Sequence, residues 1–152
     1  MKALTTLLVI GMFATAVAVA DDVDDVKAAV RNNYAALNAG DARALIQLHA
    51  AQNTRFGPSG SLLETFDSLE ERRKAFQASF DAGLKYNLQA RHIDVRVYGN
   101  LTAVATWYGV GTLINPDGRT ARINNRITTV LVKQGGQWKR THVHISPVRL
   151  PQ

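Results

Sequence analysis

The fold is decided by residues 126–147, which read RITTVLVKQGGQWKRTHVHISP. Apolar and polar residues alternate on both sides of Gly135-Gly136, and a period of two is typical of β-strands. The paired glycines stand in the middle of the stretch, where a tight turn needs backbone angles that other residues rarely adopt. The stretch therefore predicts two antiparallel strands joined by a short turn.

The same alternation begins upstream of this hairpin, near Lys85. Residues 93–97 alternate between apolar and polar side chains, Gly99-Asn100 predicts a second tight turn, and residues 102–113 continue as a strand. Asn115-Pro116-Asp117-Gly118 is a turn sequence in which proline presets φ. The second half of the chain is therefore predicted to form a four-stranded antiparallel meander.

The first half has the period of helices. Its apolar residues are spaced by three and four, as on one face of a helix, at Val23, Val26, Val30, Tyr34 and Leu37. Asp41 can cap a second, short helix, and Ser68 with Glu71 forms a capping box for a third. Helices followed by strands predict an α+β fold, with N-terminal helices packed on one face of a curved antiparallel sheet.

Residues 1–20 have the pattern of a signal peptide. Lys2 is followed by an uncharged apolar run over residues 3–19, and Ala18-Val19-Ala20 is a small-x-small cleavage pattern. The run is short for a membrane span. We expect cleavage after Ala20, a mature domain over 21–152 without a membrane span, and a periplasmic or secreted location. The alternative is an uncleaved N-terminal anchor.

The amino-acid composition excludes several kinds of site and partner. The 152 residues include no cysteine, which excludes disulfides, thiolate metal sites and a cysteine nucleophile. The net charge is +6 and belongs to the second half, since residues 21–84 carry −3 and residues 85–152 carry +8. A basic chain can indicate nucleic-acid binding. An exported protein meets little nucleic acid, so we expect no such partner.

Strand parity groups the polar residues of the last two strands, because alternate residues share a face. One face mixes cations and imidazoles, at Arg122, Arg126, Arg140, His142 and His144, with apolar groups such as Trp138. The opposite faces are apolar. If the polar face turns toward the helices it forms a pocket, because unpartnered buried charges are costly. If it turns outward, it is a solvated basic surface.

Residues 126–130 (RITTV) and 136–147 (GQWKRTHVHISP) resemble the closing hairpin of the SnoaL-like, nuclear-transport-factor-2-like families. The subgroup most similar resembles the association domain of calcium/calmodulin-dependent kinase. The resemblance continues through residues 37–41, 55–58 and 97–99 and covers nearly all of the mature chain. It implies a cone-shaped, cystatin-like fold. Since this fold hosts isomerases, cyclases, dehydratases and non-catalytic hubs, it does not imply one activity.

The resemblance also implies a site. Arg126 and His144 match positions that line the cavity between helices and sheet, and in relatives this cavity takes small anions such as carboxylates. A guanidinium suits a carboxylate because it offers two parallel donors. We therefore expect a small anionic or amphipathic ligand, bound by Arg126, His144, His142, Trp138, Tyr34 and Tyr108. Arg140 stands where the family is usually apolar, so either the pocket is more cationic or the strand bends and exposes it.

Catalysis is the alternative to binding alone. An isomerase, cyclase or dehydratase would use His144 as base and Arg126 to stabilise an anion. Gly57 stands where the resemblance to ketosteroid isomerases requires an aspartate, and residues 119–134 contain no carboxylate, so binding is favoured. His142 and His144 have the spacing of a zinc pair but lack a third ligand. We expect no metal and no cofactor.

A homo-oligomer, most simply a dimer, is also expected. The resemblance places the apolar faces of the last two strands outward, with Ile123, Ile127, Leu131, Val143 and Ile145. Such a surface is more apolar than a monomer usually exposes to water.

Overall fold

The computed structural model describes residues 10–60, 62–66 and 68–148, with side chains from residue 21 onward. Residues 1–9 of the expected signal peptide lie outside the described residues. No helix in the described ranges is long and apolar enough to span a membrane. The elements are α1 (Ile10–Ala39), α2 (Ala42–Gln47), β1 (His49–Phe56), β2 (Glu64–Phe66), α3 (Leu69–Asp81), β3 (Lys85–Tyr98), β4 (Thr102–Ile114), β5 (Thr120–Gln134) and β6 (Gln137–Pro147).

The second and third helices begin where the sequence predicts, whereas α1 begins at Ile10, before the first residue of its predicted apolar row, Val23. An Asp41 carboxylate oxygen accepts a hydrogen bond of 2.8 Å from the amide of Ala44, and Ser68 Oγ accepts one of 3.1 Å from the amide of Glu71. These bonds satisfy amides that the first turn of a helix leaves free. The predicted α+β class and both caps are confirmed.

The sheet has six strands, in the order β2-β1-β6-β5-β4-β3. Strands β3 to β6 form the predicted antiparallel meander. Two strands were not predicted: β1, which pairs parallel with β6, and the three-residue β2, which pairs antiparallel with β1. The sheet is therefore mixed rather than antiparallel. The sequence HAAQNTRF of β1 lacks strict alternation, which explains why its pattern does not predict a strand.

The helices cover one face of the sheet, which we term the inner face. Buried Val26, Val30 and Tyr34 of α1 pack there against an apolar cluster of the sheet that includes Ile127, Leu131 and Val143. The prediction that Ile123, Ile127, Leu131, Val143 and Ile145 face outward is therefore wrong. A resemblance to a family does not determine which face of each strand is buried. The burial of apolar area against α1 does.

A bulge in β6 controls which side chains reach the inner face. Leu131 pairs with Arg140 and Val130 pairs with His142, so Thr141 has no partner on β5. One extra residue reverses the alternation of a strand. Arg140 consequently lies on the inner face together with Val143, while His142 and His144 lie on the opposite, outer face.

Candidate functional site

A cavity of about 290 Å³ lies between the helices and the inner face of the sheet. Most of its lining is apolar, including Leu37, Phe76, Trp107 and Ile127. The residues of the lining that carry polar groups are fewer, namely Asn33, Tyr34, Arg55, Tyr86, Asn125 and Arg140. Apolar walls with a few placed polar groups are typical of small-molecule sites.

Arg140 is the main cation of the cavity. Its amide donates a 2.9 Å hydrogen bond to the carbonyl of Leu48, which ties β6 to the junction of α2 and β1. Its Nη2 contacts Nε2 of His49. Burial, with the positive charges of Arg72 and Arg55, lowers the pKa of Arg140 to about 9. The cost of this charge is the reason for expecting an anion beside it.

The imidazole of His49 is the polar partner that the structure shows for the Arg140 guanidinium. His49 is only 2% exposed and stacks on Phe76, with ring centroids 6.4 Å apart. Burial, then the charges of Arg140 and Arg72, lower the pKa of His49, so the ring is neutral. Since a guanidinium only donates, Nε2 must accept and the ring proton must be on Nδ1. Nδ1 is buried and has no partner among the described residues.

Arg72 is a second buried guanidinium, on α3, and is 1% exposed. Its Cζ lies 4.1 Å from the ring centroid of Phe66 and 5.6 Å from that of Phe76, so two aromatic faces hold the cation. Burial lowers the pKa of Arg72 to about 10. Within the described chain, its Nε and Nη1 atoms make no hydrogen bond.

One carboxylate compensates this group of cations in the described part of the chain. A Glu64 oxygen lies 3.8 Å from Arg55 Nε, and the charge of Glu64 also raises the pKa of Arg72. The charge of Arg55 lowers the pKa of Arg72, and the charges of Arg72 and Arg55 lower the pKa of Arg140, so the three guanidiniums share one electrostatic environment. Among the residues that the structure describes, three guanidiniums against one carboxylate leave a net positive charge around the cavity.

Tyr34 provides a neutral hydrogen-bond donor in the cavity. Trp107 Nε1 donates to the Tyr34 hydroxyl over 3.0 Å, and the two rings meet edge to face with centroids 6.3 Å apart. Burial raises the pKa of Tyr34, so the hydroxyl stays protonated. Because its oxygen already accepts from Trp107, the proton of the hydroxyl is available to a ligand oxygen.

Comparison with known proteins shows the family. A model of the SnoaL-like domain matches residues 26–150. The chain belongs to the SnoaL-like domain family. Among the curated proteins, none matches it in sequence.

Solved structures share the fold of this SnoaL-like domain. A ketosteroid isomerase-like protein from Erwinia carotovora atroseptica superposes with a TM-score of 0.71 at 18% identity, covering 85% of this chain and 98% of that one. The association domain of C. elegans CaMKII gives 0.63 at 20%, covering 81% and 93%. A protein with a cystatin-like fold from Caulobacter vibrioides gives 0.66 at 19%, covering 83% and 89%. The predicted family and cystatin-like fold are thus confirmed.

The structure places the predicted site residues of this SnoaL-like domain in three environments. Tyr34 lines the cavity as predicted. Trp138 is 4% exposed and belongs to the core, with Lys133 Nζ 5.6 Å from its ring centroid. The other four, Arg126, His142, His144 and Tyr108, lie on the outer face.

The placement of Arg126 and His144 in the cavity is therefore corrected. Both are exposed and line a separate surface depression of about 400 Å³ on the outer face, together with Tyr108 and Ser146. Arg126 Nε donates a 2.9 Å hydrogen bond to Ser146 Oγ. His142 is nearby, where Nδ1 lies 2.7 Å from Thr54 Oγ1 and the ring meets Phe56 edge-on. Within the described residues, no group of three or more His, Asp or Glu could hold a metal ion.

The predicted binding residues do not include Arg140, whose place in the pocket the sequence leaves open, nor Arg55, Arg72 and His49. Of the last three, Arg72 and Arg55 left a signal in the sequence. Arg72 stands in the apolar row of α3 at helical spacing, with Leu69, Phe76 and Phe80. A charge on such a row indicates a buried, functional or partnered group. Arg55 lies within residues 55–58, where the family resemblance already extended. His49 had no comparable signal, because its partner Arg140 is 91 residues away.

Proposed function

We propose that this SnoaL-like domain binds a small carboxylate-bearing molecule in the inner cavity, with Arg140 as the principal contact. The observation that carries the proposal is that Arg140 lines the cavity with a neutral imidazole as its polar partner. A guanidinium without a counter-charge in an apolar surrounding is costly unless an anion joins it. The proposal keeps the anionic ligand that the family resemblance implies, but its principal contact is Arg140 instead of Arg126.

The lining supports one binding mode. A carboxylate can take two parallel hydrogen bonds from Arg140, and the Tyr34 hydroxyl can donate to an oxygen of the ligand. Arg55 adds a second positive charge. The apolar remainder of the ligand would contact Trp107 and Ile127. A volume of about 290 Å³ is at the lower end for ligand pockets, which favours a small organic acid.

The residues that line the cavity favour ligand binding over catalysis by proton abstraction. His144, the base of the enzymatic alternative, lies on the outer face, and Arg126 lies beside it. The described residues that line the cavity include no carboxylate and no imidazole. A general base must come within hydrogen-bond reach of the proton that it removes.

Calorimetric titration with sodium benzoate and sodium acetate at low chloride tests the proposal. We expect Arg140→Met to weaken binding by roughly thirtyfold or more, because a buried charged contact is worth about 2 to 5 kcal/mol. Arg126→Met is the matched control, since it removes an equally large guanidinium from the outer face, and we expect it to bind like the wild type. Equal affinity in the wild type and Arg140→Met would contradict the proposal.

We further propose that the protein is exported, which rests on the sequence pattern of residues 1–20. N-terminal sequencing of protein from its own cells should begin at Asp21. Recovery of Met1 in a membrane fraction would contradict export.

We also propose a homodimer that forms through the outer face of the sheet, where Phe56 and Tyr108 are 38% and 46% exposed. The likeness in fold to an association domain supports this proposal.

A further inference from the structure

The contact between His49 and Arg140 joins β1 to β6 beside the inner cavity. His49 is the first residue of β1, and Arg140 is its cross-strand partner on β6. The imidazole is held on its other side by its stack on Phe76, and Arg72 lies 5.6 Å from the centroid of the same ring. The ring therefore has little freedom to turn away from Arg140.

We propose that His49 is the positioning residue of the anion site: its neutral imidazole accepts from the Arg140 guanidinium and orients it toward the cavity without neutralising its charge. The inference rests on the proposed function, because it explains how the anchor of that site is held. His49 does not itself line the described cavity, so its effect on a ligand passes through Arg140.

An imidazole suits this position better than a carboxylate or an apolar side chain would. A carboxylate in the same place would fix the guanidinium equally well, but it would form an ion pair and remove the attraction for an external anion. An apolar side chain would leave the charge intact and the guanidinium free to rotate. A neutral nitrogen acceptor fixes the group and keeps its charge. Lowering of the His49 pKa by burial maintains that neutral state.

Arg72 is a second buried guanidinium whose contacts are with neutral groups. Its guanidinium is held by the rings of Phe66 and Phe76, which are neutral partners. Its positive charge is among the causes that lower the pKa values of both His49 and Arg140. The site thus stabilises the neutral form of His49 with the cations that surround it.

Three His49 variants separate orientation from packing, with sodium benzoate as the probe. His49→Phe keeps a ring for stacking on Phe76 but has no acceptor, and we expect benzoate affinity to fall about tenfold. His49→Gln can bring its Oε1 near the position of Nε2, and we expect it to recover most of the affinity. His49→Glu should abolish benzoate binding and raise the melting temperature measured without benzoate, which a purely structural role would not do.

The position of the ring proton gives a test that needs no His49 variant. The contact with Arg140 requires the Nδ1–H form of His49 in the wild type, which a long-range ¹H–¹⁵N spectrum of the imidazoles reports directly. The His49 signals should change in Arg140→Met, where the donor is absent. A wild-type spectrum with the proton on Nε2 would overturn the proposal even if a variant failed to fold.

Different results would refute the anion site and the positioning role of His49. If Arg140→Met binds benzoate like the wild type, the anion site itself is refuted. If Arg140→Met loses binding while His49→Phe keeps wild-type affinity, the site stands and the positioning role of His49 is refuted. Equal losses in His49→Phe and His49→Gln would also refute that role, because the acceptor would then not matter.

Discussion

Arg140 and His142 are separated by one residue on β6, yet their side chains lie on opposite faces of the sheet. Thr141 forms the bulge between them and has no partner on β5. Without the extra residue, the two side chains would share a face. The bulge therefore orients the Arg140 guanidinium toward the cavity and leaves the imidazoles of His142 and His144 on the outer face.

Removal of the Arg140 guanidinium should make the unliganded protein more stable. We expect Arg140→Met to raise the free energy of unfolding by about 1 to 4 kcal/mol, because apolar replacement of poorly compensated buried charge is often stabilising. Urea unfolding at low chloride measures the change. The same variant should lose benzoate binding, so stability and binding would move in opposite directions.

Arg31→Met is the control for this stability measurement. Its guanidinium is exposed on α1, away from the proposed dimer contact, and substitutions at exposed positions usually change stability by less than about 0.5 kcal/mol. A loss of stability in Arg140→Met, similar to that of an ordinary core defect, would show that the guanidinium is compensated in the folded protein.

The pH dependence of stability should report His49. Its pKa is lowered in the folded protein, whereas the unfolded chain binds the proton at about pH 6.5. The unfolded state then takes up the proton first as the pH falls. The stabilising contribution is complete above about pH 6.5 and is lost below it, by up to about 1.4 kcal/mol per pH unit.

Chemical unfolding between pH 7 and pH 5 tests this dependence. His49→Gln should remove the part of the slope that His49 contributes, because the amide does not titrate in this range. His144→Gln changes an exposed imidazole on the outer face and should retain that part of the slope. An unchanged slope in His49→Gln would mean that His49 takes up its proton at the same pH in the folded and unfolded protein, so that its pKa is not lowered by folding.

The sequence predicted elements well where local patterns determine them. The caps at Asp41 and Ser68, the helical row of α1 and the meander of β3 to β6 all depend on residues that are close in the chain. Strand β1 pairs parallel with β6, about 90 residues away, and such a pairing leaves no local pattern.

The site was harder to predict than the fold because it depends on which face each strand buries. Parity correctly grouped Arg126 with the outer residues of β5 but could not show that this face looks away from α1. Parity then failed at Thr141, where no glycine or proline signals the bulge. The family resemblance marks Arg140 as unusual and leaves two alternatives, a more cationic pocket or exposure by a bend of the strand. The structure places Arg140 in the lining of the cavity, which corresponds to the first.

The close approach of α1 to the sheet should depend on Gly109. A Cβ at this position would lie 2.3 Å from the Tyr34 hydroxyl oxygen and 2.7 Å from Ile127 Cδ1. We expect Gly109→Ala to lower the free energy of unfolding by about 1 to 3 kcal/mol through overpacking. It should also displace the Tyr34 hydroxyl from Trp107, which the indole N–H resonance of Trp107 would show.

Gly118→Ala provides the comparison for Gly109→Ala. Gly118 has a φ of +81° in an exposed turn, and a Cβ there meets nothing within 4 Å. Its substitution should cost about 1 kcal/mol through backbone strain alone and leave the Trp107 resonance in place. An unshifted Trp107 resonance in Gly109→Ala would show that the Tyr34 hydroxyl does not limit the approach of the helix.

The proposed dimer can be tested at the centre of the outer face. Thr128 lies between Thr106 on β4 and His144 on β6, and all three side chains point away from the helices. Aromatic and arginine side chains, which are enriched in protein interfaces, surround this position as Phe56, Tyr108 and Arg126. The outer face therefore has the composition expected of a contact between two copies.

Thr128→Arg should convert the dimer into a monomer. In a two-fold symmetric contact the substitution introduces a cation from each copy near the same place, beside Arg126, and like charges without a partner oppose association. Multi-angle light scattering at micromolar concentration should give the mass of two chains for the wild type and of one chain for the variant. Ala75→Arg, on the exposed side of α3, adds the same cation away from the sheet and should remain dimeric. A wild type with the mass of one chain would refute the dimer, and a dimeric Thr128→Arg would place the contact on another surface.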